Sequence, residues 1–177
     1  DVPLLIAEIN HDHVGLIEKQ KVNRGFTRGF IVTNPNCAVI SFAPPLAALH
    51  RKFGVESVVL TTFQAISGAG YPGVASLDIM DNVIPYIAGE EPKVEIEAQK
   101  ILGTLRNGVI EKADFTVSAQ CFRVNVIDGH MVSIRVDLKE KATLECVVAA
   151  MREFPSLDLH SSPEHFIEVT DEPSRPQ

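Results

Sequence analysis

The sequence predicts an α+β fold, a mixed sheet covered by helices, on three observations. Strongly β-prone runs, of which residues 57–63 are the clearest, mix with helical patterns at irregular intervals rather than at βαβ spacing. The pair Asp128-Gly129, set between two apolar stretches, is the strongest hairpin signal in the chain, and it calls for antiparallel strands. No internal repeat and no linker-like stretch divides the 177 residues, so one domain with a sizeable core is expected.

In chain order, residues 3–9 read as a strand, and Asn10 is placed to cap a short helix from His11 to about Lys19. His11 and His13 lie two apart, so a helix would not turn them to one face; no third ligand follows at metal-binding spacing, and they read as surface residues. Residues 29–32 are β-branched and apolar and read as a short buried strand ending at the Asn34-Pro35 turn. From Cys37 the pattern is helical, with Val39, Ile40, Ala43, Leu46, Ala47 and Leu49 largely at three- and four-residue spacing and Gly54 as the stop. Cys37 therefore occupies a first helical turn, where free N–H groups and the dipole favour a thiolate. The competing reading of a lone cysteine is a buried structural residue.

The strand at 57–63 passes Gln64 and enters a literal G-x-G-x-x-G, Gly68 to Gly73. Pro72-Gly73 interrupts the place where a phosphate-binding helix would run, and no second parallel strand follows at βαβ spacing. A flexible Gly-rich loop beside a site fits better than a dinucleotide fingerprint. Residues 75–87 read as an amphipathic helix ended by Gly89, and residues 92–105 as a second helix with Glu90 and Glu91 near its positive end. Residues 114–127 read as a long strand carrying Gln120 and Arg123, with its return over 131–138. An amphipathic helix over 143–154, a short strand over 166–169 and a polar, Pro-rich end complete the chain.

Composition bounds the function. Apolar residues at 45% and charged residues at 22% describe an ordinary globular protein. A net charge of −7 without a basic run or basic-aromatic stripe argues against nucleic acid and anionic membranes as partners. Three cysteines without paired spacing make no disulfide framework, which points to a reducing cytoplasm. No apolar run approaches the ~20 residues of a membrane span. The chain starts at Asp1, directly on an apolar pattern without a leader, and the expectation is that an upstream segment has been removed.

Cys37, Gln64, Arg123 and His130 are the residues with chemistry to offer. A thiolate needs an acid or base beside it, and histidine is the usual partner. The planar fork of Arg123 suits a carboxylate. Spacing alone leaves open whether the four meet: a histidine after a turn is commonly just exposed, and an arginine commonly makes a structural ion pair.

A chain of motifs narrows the choice. Asn34-Pro35-Asn36-Cys37 is followed by Thr62-Phe63-Gln64-Ala65-Ile66-Ser67-Gly68-Ala69-Gly70, and then by Ser76-Leu77-Asp78-Ile79-Met80-Asp81-Asn82-Val83-Ile84-Pro85-Tyr86-Ile87. Gly89-Glu90-Glu91-Pro92-Lys93, Ser118-Ala119-Gln120-Cys121-Phe122-Arg123, Asp128-Gly129-His130 and Arg175-Pro176-Gln177 complete the series. In this order they resemble the aspartate-semialdehyde dehydrogenases of the fungal and archaeal branch, over essentially the whole chain.

The resemblance implies reduction of β-aspartyl phosphate by NADPH to aspartate β-semialdehyde and phosphate, on the way to lysine, methionine and threonine. It makes Cys37 the nucleophile that carries the acyl group as a thioester, His130 the acid and base, and Gln64 the residue that orients the acyl group. It assigns Arg123 to the substrate carboxylate, Glu90 to its ammonium, and Lys93 and Asn36 to phosphate. Ser67, Gly68, Ala69 and Gly70 would lie against the nicotinamide of NADP(H), and no metal is implied. The implied fold is that of the C-terminal domain of glyceraldehyde-phosphate dehydrogenases, a mixed, largely antiparallel sheet with helices on one face. Residues 1–177 would be the catalytic and dimerisation domain, a homodimer or higher homo-oligomer, without the family's N-terminal nucleotide-binding domain and C-terminal segment. Such a fragment is expected to bind no NADP(H) tightly and to lack turnover. Ala38-Val39-Ile40 departs from the small hydroxyl or glycine residues that follow the cysteine in many relatives. Rival readings are a related acyl reductase acting on malonyl-coenzyme A or N-acetylglutamyl phosphate, a non-catalytic oligomerisation module, and a Cys/His hydrolase.

Overall fold

The computed structural model describes residues 1–160 and 162–172. The Arg175-Pro176-Gln177 motif lies outside them. The centre is a helix and the strand that returns from it. After α1 (Ala7–Asn10), a 3-10 turn over His11–Gly15 and α2 (Leu16–Arg24), the chain enters α3 (Cys37–Phe53) and then β1 (Val55–Gln64). Asn36 caps α3, its Oδ1 accepting from the N–H of Ala38 at 2.9 Å and of Val39 at 3.4 Å, a type of contact worth about 1 kcal/mol. Gly54, at φ 67°, ends the helix and turns the chain into β1. Pro44 and Pro45 sit inside α3 and withhold two intrahelical hydrogen bonds. The carbonyls they would serve belong to Ile40 and Ser41, both exposed, where solvent can reach them. The buried stripe Val39, Phe42, Leu46 and Leu49 outweighs the loss, at roughly 1.5–3 kcal/mol for each large side chain.

After β1 come a 3-10 turn (Ile66–Ala69), α4 (Ser76–Ile79) and α5 (Glu90–Ile101), then the hairpin β2 (Thr104–Arg106) and β3 (Val109–Glu111). The chain continues through β4 (Thr116–Arg123), β5 (His130–Leu138) and α6 (Leu144–Arg152). The main sheet has the order β4-β1-β5. β1 pairs parallel with β4 and antiparallel with β5, and β2 with β3 is also antiparallel. This is the mixed sheet expected, with α3, α5 and α6 on one face. Val58, Leu60, Ala119 and Cys121 point from the strands into that layer, against Val39, Phe42, Leu46, Val94 and Ala98.

β4 is an edge strand, and α5 serves its free N–H groups with side chains. Glu91 Oε1 accepts from Cys121 N–H and Glu95 Oε1 from Ala119 N–H, each at 3.2 Å, while Gln99 Nε2 donates to the Phe115 carbonyl at 2.7 Å. A four-residue helical step rises about 6 Å and a two-residue strand step about 6.6 Å, so Glu91 and Glu95 match Cys121 and Ala119, while Gln99 reaches past the start of β4 to Phe115.

Several expectations are corrected. Residues 3–9 form a single bridge at Leu4 to Thr33 and then α1 instead of a strand, because Asn10 Oδ1 takes the Ile6 N–H at 2.9 Å and folds the segment into a turn. His13 is not on the surface: it is 2% exposed, with Asn10 Nδ2 donating to its Nδ1 at 2.9 Å and its Nε2 3.2 Å from the Gly103 carbonyl. Residues 29–32 are exposed and unpaired with any strand; at Ile31 the side chain of Gln20 takes both backbone groups. The helix over 75–87 shrinks to α4, and Ile84 instead bridges to Arg123 in antiparallel fashion, since Pro85 cannot continue a helix. Asp128-Gly129 closes no hairpin, because β1 lies between the strands it links. Asn107-Gly108, at φ 50° and 70°, makes the tight one between β2 and β3. Residues 166–169 form no strand, and Phe166 stacks on Phe154 at 6.0 Å.

Candidate active site

The site forms where α3 begins and the three strands of the main sheet end. Strand register puts Arg123 of β4, Gln64 of β1 and His130 of β5 in one row across the sheet. All three lie on the helix-covered face by alternation, at the end of the sheet that meets the start of α3. Cys37, the first residue of α3, is exposed there, with His130 Nε2 at 3.2 Å from its Sγ. The spacing that left the pair open in the sequence is resolved by topology: 93 residues apart, they meet because α3 and β1 run back to back.

Arg123 is 6% exposed and donates from Nη1 to the Ala65 carbonyl at 2.6 Å. Among the described residues it makes no ion pair. A buried guanidinium without a carboxylate is costly unless something else supplies the anion. Its backbone is clamped to Ile84 by two hydrogen bonds of 2.9 and 3.0 Å. Glu90, at the start of α5, is 7% exposed and collects donors: Asn36 Nδ2 at 2.6 Å and Gln64 Nε2 at 3.3 Å reach its Oε1, and Lys93 Nζ lies 3.8 Å from its Oε2. Gln64 also donates to Thr62 Oγ1 at 3.2 Å, so its amide hydrogens face inward in this structure. Asn36 is spent first as helix cap and Glu90 partner, and its backbone N–H goes to Glu97 Oε2 at 2.7 Å.

The loop Ser67, Gly68, Ala69, Gly70 is exposed and lies over the same row. A Cβ on Gly68 would stand 2.9 Å from Arg123 Nη1 and 3.2 Å from His130 Cε1, so a side chain there would have to displace the guanidinium tip or the ring. The G-x-G-x-x-G thus starts inside the 3-10 turn Ile66–Ala69 and leaves it as a turn at Tyr71-Pro72, with no helix directly after it, as Pro72-Gly73 implied. Every residue nominated for catalysis or substrate is joined in one cluster. Cys121, by contrast, is buried within the sheet; burial pushes its thiol up, a Thr62 hydrogen bond opposes this, and the charges of Glu90, Glu91 and Glu95 add to the rise.

Two contributors escaped the sequence reading. Ala65 acts through its peptide groups, which leave no trace in residue type. Glu97 had a signal, for it lies seven residues from Glu90 and so on the same face of α5. Among the described residues, no cluster of three or more ligating side chains could hold a metal, and no helix is long and apolar enough to cross a membrane.

Residues 46–177 match the family model described as semialdehyde dehydrogenase, dimerisation domain. The chain is 52% identical over 177 residues to the aspartate-semialdehyde dehydrogenase of Archaeoglobus fulgidus, covering all of this chain and 51% of that one. Against the enzyme of that name from Aspergillus fumigatus it is 52% identical over 186 residues, covering 99% of this chain and 51% of the other. The crystal structure of aspartate semialdehyde dehydrogenase with NADP from Candida albicans superimposes with a TM-score of 0.82 at 40% identity, over 100% of this chain and 53% of that one. The chain spans about half the length of the curated relatives it matches.

Proposed function

The chain belongs to the semialdehyde dehydrogenase family through its dimerisation domain, and from that premise we propose that residues 1–177 are the catalytic and dimerisation domain of an aspartate-semialdehyde dehydrogenase. The reaction is reduction of β-aspartyl phosphate to aspartate β-semialdehyde and phosphate, in the synthesis of lysine, methionine and threonine. One observation carries this reading: a thiol 3.2 Å from a histidine, beside a buried arginine with no ion pair among the described residues.

Cys37 attacks the acyl carbon, phosphate leaves, and the acyl group stays on sulfur as a thioester, which divides one difficult displacement into two steps. His130 is the acid and base of the reaction, assisting activation of the sulfur through a hydrogen bond and transferring protons after the thioester forms. The cap takes the N–H groups of Ala38 and Val39, so among the described residues the N–H of Cys37 itself is the helix-start donor left for the oxyanion. Arg123 binds the substrate carboxylate with its remaining donors, and Glu90 receives the ammonium. Lys93, with Asn36, binds phosphate, and Gln64 orients the acyl group while holding Glu90. A buried carboxylate beside a buried guanidinium fits a free amino-acid end, which malonyl-coenzyme A and N-acetylglutamyl phosphate do not present.

NADPH, when bound, supplies the hydride. Ser67 to Gly70 fit the nicotinamide end, since the exposed loop comes close to His130 and Arg123 at Gly68, where a Cβ would stand 3.2 Å from His130 Cε1 and 2.9 Å from Arg123 Nη1. The described residues form no pyrophosphate cradle, so this chain alone is expected to bind NADPH weakly and not to turn over. Its partner is a second copy of itself, seated on the uncovered face of the sheet, where Phe63 stacks on Phe122 at 6.1 Å and Val59 and Met131 are exposed. Three free cysteines suit a reducing cytoplasm.

The test is NADPH oxidation by the full-length protein with aspartyl phosphate, acetylglutamyl phosphate and malonyl-coenzyme A. Aspartyl phosphate should be preferred; preference for either other substrate, or no oxidation with aspartyl phosphate, refutes the assignment. Sedimentation tests the second copy, and a strict monomer removes it.

A further inference from the structure

We propose that Ala65, whose side chain has no chemistry, is a positioning residue of this site: its N–H fixes the tautomer of His130, and its carbonyl fixes the guanidinium of Arg123. The proposal rests on the reading of Cys37 as nucleophile with His130 as its partner. β1 ends at Gln64 with Arg123 on one side and His130 on the other. The next peptide therefore lies between those two side chains. Ala65 N is 3.3 Å from His130 Nδ1, and Arg123 Nη1 is 2.6 Å from Ala65 O.

A backbone N–H can only donate, so Nδ1 meets it with a lone pair, and the hydrogen of the neutral ring sits on Nε2. Nε2 is the atom 3.2 Å from Cys37 Sγ. The ring in the resting enzyme thus donates to sulfur. When the thiol ionises, the S–H bond breaks, its proton leaves to solvent water, and the electron pair stays on sulfur and accepts the Nε2–H hydrogen bond. Once sulfur is acylated, the same N–H is free to serve the carbonyl oxygen. A proton on Nδ1 would instead face the Ala65 N–H head on. His13 shows the same arrangement in a purely structural setting, taking a donor on Nδ1 and reaching a carbonyl with Nε2.

The donor is itself held still. Ala65 is fully buried, at φ −64° and ψ 158°. The two residues after it are tied down by hydrogen bonds from Ile66 N–H to the Val126 carbonyl at 2.8 Å and from Ser67 N–H to the Ile127 carbonyl at 3.0 Å. The two peptide groups on either side of the Ala65 Cα thereby set the ring that faces the sulfur and the fork that faces the substrate.

The test removes the N–H alone. In the full-length protein, L-lactic acid replaces Ala65, exchanging the amide for an ester, while Ala65→Gly keeps the N–H and drops only the methyl group. With Nδ1 free to carry the proton, the thiolate loses its Nε2–H hydrogen bond, and bonds to charged groups are worth enough that Cys37 alkylation by iodoacetamide at neutral pH should slow about tenfold or more in the ester. Its pH profile should move upward, and the glycine variant should stay close to the parent. Nitrogen-15 spectra of the unaltered protein should find His130 protonated on Nε2 and bare on Nδ1, and the ester should lose that preference. A proton on Nδ1 in the unaltered protein, or an unchanged alkylation profile in the ester, overturns the proposal. If the ester does not fold, the spectrum of the unaltered protein decides. None of these readouts involves substrate, so failure here is separable from failure with aspartyl phosphate.

Discussion

At both ends of β1 a backbone N–H points at the Nδ1 of a histidine, Val55 at His50 and Ala65 at His130, each at 3.3 Å. The difference lies in what meets the rest of the ring. His50, in the last turn of α3, packs against Phe115 with ring centroids 5.5 Å apart, and burial together with the Lys139 charge pushes its pKa down. His130 meets a thiol instead. α3 explains the pairing, since it begins at Cys37 beside one histidine and carries the other at its far end. The same backbone device thus faces an aromatic ring at one end and a thiol at the other, and under the proposed function the neighbour of the ring sets its use.

The largest break in this symmetry is expected from His130→Ala in the full-length enzyme, which should slow turnover by about 10²–10⁴-fold, the usual worth of general acid–base assistance. His50→Ala should leave turnover near the parent value while lowering stability. Comparable turnover losses in steady-state kinetics would erase the distinction. Next, Arg123→Lys should lower kcat/KM by about 10–100-fold, mostly through KM, because a point charge cannot reproduce a fork held by the Ala65 carbonyl. An unchanged KM would take the carboxylate away from Arg123.

Cys146 sharpens the comparison from another side. It is exposed and lies in the first turn of α6, with its N–H on Thr143 Oγ1 at 3.3 Å, so it shares the helix start of Cys37 but has no histidine partner among the described hydrogen bonds. Under limiting iodoacetamide, mass mapping should find Cys37 labelled about tenfold faster than Cys146, with buried Cys121 slowest. Faster labelling of Cys146 would mean that the helix start, and not His130, governs reactivity. The smallest effect belongs to His50. Its folded pKa lies below the usual 6.5, so as pH falls below that value the unfolded chain takes up the proton first and stability declines. The loss levels off once the folded ring is also protonated. His50→Gln should flatten this part of the denaturation profile across acidic pH, and an unaltered slope would assign it to other groups.

Much of the site was legible because its motifs sit on strongly patterned elements. The run from Cys37 to Gly54 reads as a helix from its spacing alone, and β1 from its β-branched residues. What failed was local pattern overruled by distant contacts. Residues 29–32 look like a strand, yet the side chain of Gln20 satisfies Ile31 in place of a neighbouring strand. Asp128-Gly129 looks like a hairpin, but β1, some 70 residues earlier in the chain, inserts between β4 and β5. The Asn107-Gly108 turn is masked in the sequence because the helical pattern over 92–105 continues past the true helix end at Ile101 into β2. Ala65 is beyond reach altogether, for the role proposed for it rests on backbone N–H and C=O groups that carry no mark in residue type.

The glutamates that α5 lays along β4 also fix how many neighbours this sheet can recruit by hydrogen bonding. A sheet with two open edges has a valence of two and can add copies without limit, as fibrils do. Here Glu91 and Glu95 occupy N–H groups that a further strand would need, while the far side of β5 pairs with no described strand. The valence in that direction is one. Whatever contact the uncovered face makes, any joining edge to edge through β5 would stop at one added copy, because neither partner has a second open edge to pass the contact on.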